Sequence, residues 1–194
     1  MMGASYAGNA GVFLVQTLFG LYIGAVMLRF LLAVTRGDFY NPVSQFLVKV
    51  TNPPLIPLRR IIPSIKGVDL AAIVLMLVLQ ALELILTGAI KGFGFHPAGL
   101  AVLSLAELLS LLLQIYFFTI LIQVILSWVS PGAHNPVVAL LYGINEPLLG
   151  RARRIVPPIH GFDLSPILVM IFLQLLTILL VAPIMDMGRA LSFG

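Results

Sequence analysis

Apolar residues run almost unbroken through four stretches of this chain: from about Gly11 to Val34, from about Leu70 to Ile90, within Gly99–Val129, and from Leu164 to about Ile184. Crossing about 30 Å of hydrocarbon takes about 20 such residues, so the pattern predicts four transmembrane helices. The third stretch exceeds that need, and either tilts or begins outside the hydrocarbon.

Between the first and second stretches, and again between the third and fourth, the pattern changes period. Val43, Phe46, Leu47 and Val50 follow i, i+3, i+4, i+7, as do Val137, Leu140, Leu141 and Ile144. That spacing predicts a short helix with one apolar stripe. Asn41-Pro42 and Asn135-Pro136 suit an N-cap followed by proline at the first helical position. Asn52-Pro53-Pro54 and Glu146-Pro147 are expected to stop the helix. A second short segment then holds Arg59-Arg60 or Arg153-Arg154, closed by Pro63 or Pro157. Asp69 and Asp163 precede the next apolar run, where a carboxylate caps free N–H groups and faces the positive end of the helix dipole. Each long connection therefore reads as an in-plane interfacial segment.

These connections are copies of one another. Residues 41–80 and 135–174 align without a gap at an offset of 94 and share 18 of 40 positions. Asn41/Asn135, Pro53/Pro147, Arg59-Arg60/Arg153-Arg154, Gly67/Gly161, Asp69/Asp163 and Gln80/Gln174 are matches that an apolar composition does not generate. The chain is a tandem duplication, with units 1–94 and 95–194. The expected fold is an all-α membrane protein. Its four transmembrane helices form two tandem parallel hairpin repeats, each with a cytoplasmic-side interfacial amphipathic segment. An even number of spans per unit keeps both units in one orientation, with a pseudo-two-fold axis along the membrane normal.

Composition strengthens this picture. Of 194 residues, 60% are hydrophobic and 9% charged, against about 25% charged in soluble domains; mean hydropathy is +1.11. The net charge of +4 sits beside apolar spans, which points to anionic lipid and topology, with no nucleic-acid partner. Arg36, Lys49, Arg59, Arg60 and Lys66 lie in the first long connection and Arg151, Arg153 and Arg154 in the second, against Lys91 alone between the units. The positive-inside rule then places both long connections in the cytoplasm and both termini outside. The first residues carry no Lys or Arg, unlike a cleaved signal peptide, so the first span is expected to be retained. The chain has no cysteine, which excludes thiol chemistry and Cys-ligated metal.

The pattern Asn-Pro, about ten residues, x-Pro-Leu-Leu, Arg-Arg-Ile-Val-Pro, Gly-x-Asp-Leu-Ser-Pro-Ile resembles the YggT family of small membrane proteins. The second copy carries it most fully (NPVVALLYGINEPLLGRARRIVPPIHGFDLSPI), while the first has Ala71-Ala72 where the second has Ser165-Pro166. The resemblance covers both units. It implies a multi-pass protein of the bacterial inner membrane or of thylakoids, in a family linked to osmotic-stress tolerance, envelope or division phenotypes and plastid cytochrome assembly.

Candidate chemistry lies in few residues. Arg59, Arg60, Arg153 and Arg154 are candidates for binding lipid phosphate or an acidic partner through planar guanidinium forks; the alternative is topology and internal pairing, to Asp69 and Asp163. Asn41, Asp69, Asn135 and Asp163 read as structural caps. Glu83 and Glu107 fall within or near spans and are not repeated. They suit either a proton or cation role or hydrogen-bonded packing. Gln80 and Gln174, mid-span, either join helices or line a polar path. Arg29 reads as a snorkelling residue. Gly20 and Gly24 form a lone GxxxG. His96, His134 and His160 have no metal-ligand spacing, and no cofactor is expected. With no nucleophile, base and stabiliser together, the expectation is a non-enzyme. It reads as an adaptor or assembly factor holding anionic headgroups, a membrane-protein partner or another copy of itself. The alternative is an oligomeric ion or osmolyte pathway.

Overall fold

A computed structural model describes residues 6–65, 67–129, 135–158 and 163–193. It is all-helical among the described residues: α1 (Tyr6–Val34), α2 (Pro42–Ile61), α3 (Leu70–Lys91), α4 (Pro97–Val129), α5 (Pro136–Ile155) and α6 (Ser165–Phe193). Four of these, α1, α3, α4 and α6, are long and apolar enough to cross a membrane. The last is α-helical to Leu176, passes through a π turn over Thr177–Val181 and resumes at Ala182. It thus runs well beyond the expected end at Ile184, and Asp186 and Arg189 lie within the helix, 3.3 Å apart, rather than in a tail.

Each unit packs alike. α1 lies against α3 with α2 touching both, and α4 lies against α6 with α5 touching both; α3 and α4 join the units. The main core gathers Ile23, Val26 and Leu32 of α1, Leu55 of α2 and Ala72 and Met76 of α3, and reaches Ile144 of α5. A smaller one joins Ile120, Leu149 and Leu173 in the second unit. Phe13, Leu14, Leu18 and Leu21 on α1 and Ile171, Phe172, Ile178 and Leu179 on α6 face outward, an apolar exterior suited to lipid.

The connecting helices correct one expectation. Asn52-Pro53-Pro54 and Glu146-Pro147 do not end them: α2 continues through Pro53, Pro54 and Pro57, and α5 through Pro147, so each arginine pair occupies the last turn of a 20-residue helix. Proline's fixed φ suits a helix, and its cost is the carbonyl left unpaired four residues earlier. Tyr22 of α1 donates its hydroxyl to one such carbonyl, Val50 O, at 3.4 Å. Pro53 and Pro57 are exposed. The arginines favour the negative helix end.

Glycine contacts fall elsewhere than at the lone GxxxG. A β-carbon on Gly20 or Gly24 meets nothing within 4 Å, so that GxxxG is not a packing face within this chain. The close approach is instead Gly99 of α4 on α6, where a β-carbon falls onto Ser192 and 2.8 Å from Gly188 O. Phe93 and Phe95, in the turn between the units, pack edge-on and tilted against Phe193 with ring centroids 5.4 and 5.5 Å apart, pinning the end of α6 there.

Candidate functional site

Polar side chains gather where each connecting helix crosses its spans. In the first unit α2 ends at Ile61, and Pro63 cannot continue it. Ile65 and Val68 then exchange two backbone hydrogen bonds, 3.1 and 2.9 Å, closing a turn in which Gly67 holds φ at 82°, a region a β-carbon disfavours. The turn brings Asp69 back to Arg59, whose Nε donates to Asp69 Oδ2 at 3.1 Å while Nη2 donates to the same oxygen. Asp69 Oδ1 accepts from Ala72 N, capping α3. One carboxylate thus ties the C-terminus of α2 to the N-terminus of α3.

The second unit repeats this clasp at the same offset. Arg153 Nε donates to Asp163 Oδ2 at 2.8 Å, and Nη1 donates to both oxygens of Glu146, at 3.0 and 2.9 Å. Asp163 Oδ1 accepts from Ser165 N at 2.9 Å, but the α6 cap position is Leu164, without a side-chain bond, so Asp163 acts from one residue further out. Hydrogen bonding to Asp163 holds the Arg153 guanidinium above its usual range; burial opposes this and Glu146 adds to it. Burial pushes the Asp163 carboxyl up, yet the bonds from Ser165 and Arg153 together outweigh it and hold the group below its ordinary value.

A second pair of matched contacts escaped the sequence reading. Arg29 Nη1 donates to Thr51 Oγ1 at 2.7 Å, joining α1 to α2. At the same offset Asn145 Nδ2 donates to Gln123 Oε1 at 2.8 Å, and Thr119 Oγ1 donates to Asn145 Oδ1 at 2.8 Å, joining α4 to α5. Arg29 aligns with Gln123 and Thr51 with Asn145. The residues differ while the bridge is kept, so an identity count passes over them. All four are buried.

The units also touch through their caps. Asn41 accepts from Val43 N at 2.9 Å and donates Nδ2 to Pro136 O at 2.7 Å. Asn135 accepts from Val137 N at 2.9 Å but is exposed.

Each bridge and clasp borders a groove. The first, about 590 Å³, is lined by Arg29, Lys49, Asn52 and Arg59 with Ala33, Phe39 and Val48. The second, about 610 Å³, is lined by Gln123, Tyr142, Arg153 and Asp163 with Ser127 and Trp128.

The other candidates lie apart. Arg60 and Arg154 are exposed and make no side-chain bond among the described residues. Gln80 Nε2 donates to Glu83 Oε2 at 2.5 Å, both groups buried within α3. Glu107 lies within electrostatic reach of Glu83 and of Arg189. Gln174 is exposed, on a separate groove of about 470 Å³ beside Gln114 and Thr177. α3 and α6 do not touch, so the matched glutamines do not meet. Among the described residues no cluster of three metal-ligating side chains occurs; His134 and His160 lie outside them.

The architecture is that of a four-span membrane protein built from two tandem units. The CCB3/YggT family model matches residues 8–90 and 102–184, the same unit twice, and the chain belongs to that family. It is 44% identical over 175 residues to the uncharacterized protein PA0392 of Pseudomonas aeruginosa, covering 89% of each chain. It is 35% identical over 171 residues to the uncharacterized protein YggT of Escherichia coli K12, covering 87% of each. The uncharacterized protein ycf19 of Guillardia theta is 43% identical over 63 residues, 32% of this chain and 69% of its own length. No solved structure matches.

Proposed function

We propose that this chain is a non-catalytic inner-membrane adaptor or assembly factor, serving envelope or osmotic-stress physiology by holding lipid headgroups or a protein partner on α2 and α5. One observation carries the reading. In both units the first arginine is tied to an aspartate, while the second, Arg60 or Arg154, is exposed, makes no side-chain bond among the described residues and lies beside an exposed isoleucine. Ile61 is 79% and Ile155 76% exposed. A free guanidinium next to an apolar side chain suits the headgroup boundary, where the stem stays apolar and the fork reaches phosphate or carboxylate. The Lys/Arg distribution supports a reading with both helices at the cytoplasmic surface and both termini outside. A transport path has less support, because Gln80 is bonded to Glu83 and Gln174 faces another groove.

The test is Arg60→Gln with Arg154→Gln in a deletion strain under osmotic challenge, with membrane abundance measured by blot and partners captured by crosslinking. The expected result is normal abundance, failed complementation and loss of crosslinked species. Full complementation refutes the surface. Labelling of cysteines placed at the two ends of this cysteine-free chain checks the orientation.

A further inference from the structure

The two grooves share the aligned positions Arg29/Gln123, Ala33/Ser127, Val48/Tyr142 and Arg59/Arg153 but differ in charge. Arg29 aligns with Gln123, Lys49 with Gly143, Asn52 with Glu146 and Arg59 with Arg153. In the second groove the one lining arginine is neutralised by Asp163 and Glu146. In the first, Asp69 compensates Arg59, and no other salt bridge among the described residues reaches Arg29 or Lys49. Arg29 is only 7% exposed, and one side-chain bond, to Thr51, serves a group with five N–H donors. Its guanidinium lies within electrostatic reach of Arg59, which repels it, and of Asp69, which attracts it but is already paired with Arg59. Burying an under-satisfied cation beside another is costly unless an anion completes the arrangement.

We propose that the first groove, and not the second, is a binding site for the phosphate of an anionic phospholipid, held between Arg29 and Lys49 with Asn52 donating from its amide. The source is lipid rather than free phosphate for two reasons. Arg29 lies five residues before the end of α1, about 7.5 Å along a helix, which is headgroup depth. The groove wall is apolar, through Ala33, Phe39 and Val48, so glycerol and the upper acyl chain have a surface to cover. The inference deepens the adaptor reading and rests on it for the membrane setting, but it concerns different side chains.

The probe is phosphatidylglycerol, titrated onto the full chain and followed by native mass spectrometry, with phosphatidylcholine as reference and inorganic phosphate as competitor. The main variant is Arg29→Gln with Thr51→Asn, which copies the Gln123–Asn145 bridge and so keeps α1 tied to α2. Losing one charge-assisted contact corresponds to about a tenfold loss of phosphatidylglycerol affinity. Lys49→Gln, at an exposed position that carries no packing, is expected to lose a few-fold and serves if the main variant fails to fold. Arg60→Gln with Arg154→Gln is expected to bind as the unmodified chain does, so failure of the adaptor surface and failure of this site are separable. Unchanged lipid affinity in both the Arg29→Gln/Thr51→Asn and Lys49→Gln variants overturns the site. Equal affinity for the two lipids overturns it as well, and displacement of lipid by millimolar phosphate overturns the choice of lipid.

Discussion

Arg59 clasps Asp69 and Arg153 clasps Asp163 at identical registers, but the surroundings of the two clasps have diverged. Asp69 is the more enclosed carboxylate, its side chain 10% exposed, and also caps α3; Asp163 is 32% exposed and shares its arginine with Glu146. Above the clasp, the first unit bridges α1 to α2 through a cation and the second bridges α4 to α5 through amides. What the duplication preserves is a mechanical joint between each connecting helix and its spans. What it leaves free is the charge in the groove beside that joint, and the lipid-site reading follows from that separation.

The contrast can be broken most forcefully at the glycines. Gly99→Leu is expected to cost about 3 kcal/mol, because overpacking a close helix contact forces the backbones apart. Gly20→Leu, where nothing lies within 4 Å, is expected to leave stability unchanged. Thermal unfolding in detergent reads both. Next come the aspartates: Asp69→Asn is expected to cost about 2 kcal/mol, since it weakens an enclosed ion pair as well as a cap, and Asp163→Asn less than about 1 kcal/mol, as for exposed pairs. Equal losses would mean that the clasps are equivalent after all. The matched glutamines give a smaller contrast. Gln80→Leu removes the partner of buried Glu83 and is expected to cost about 1–2 kcal/mol, while exposed Gln174→Leu is expected to be neutral.

The smallest effect is on acid stability. The folded Asp163 carboxyl is held below its ordinary value of 3.8. Its contribution is therefore complete above the unfolded value and is lost as pH falls below 3.8 toward the folded one. Unfolding measured from pH 5 down to pH 3 should show a shallower acid limb in Asp163→Asn than in the unmodified chain, and identical limbs would remove the clasp from acid stability.

Much of this molecule was legible as sequence because membranes make their demands in composition. Spans announce themselves through unbroken apolar runs, and the duplication through Asn-Pro, Arg-Arg and Gly-x-Asp at one spacing. The Arg–Asp pairing was one of two open readings, and Arg59 and Arg153 each make such a pair. Three things were hidden, for different reasons. The Arg29–Thr51 and Gln123–Asn145 bridges keep a hydrogen bond while changing both partners, which hides them from identity. The helix through Pro53, Pro54 and Pro57 has one freed carbonyl taken up by Tyr22, far away in the chain. The Gly99 contact depends on α6 extending beyond its apolar run, which hydropathy does not register.

The short link from Gly92 to His96, which carries α3 into α4, has a consequence for how binding sites diversify. A chain matching ycf19 over 69% of that protein's length shows that a relative about as long as one unit exists. Two copies of a single unit paired by two-fold symmetry must display every surface twice, because one gene writes both. Fusing the copies through that link makes each residue independently mutable. Arg29 and Lys49 can then carry charges that their counterparts Gln123 and Gly143 do not, and the stoichiometry of unlike halves stays fixed at one to one without any need for two different chains to find each other in the bilayer.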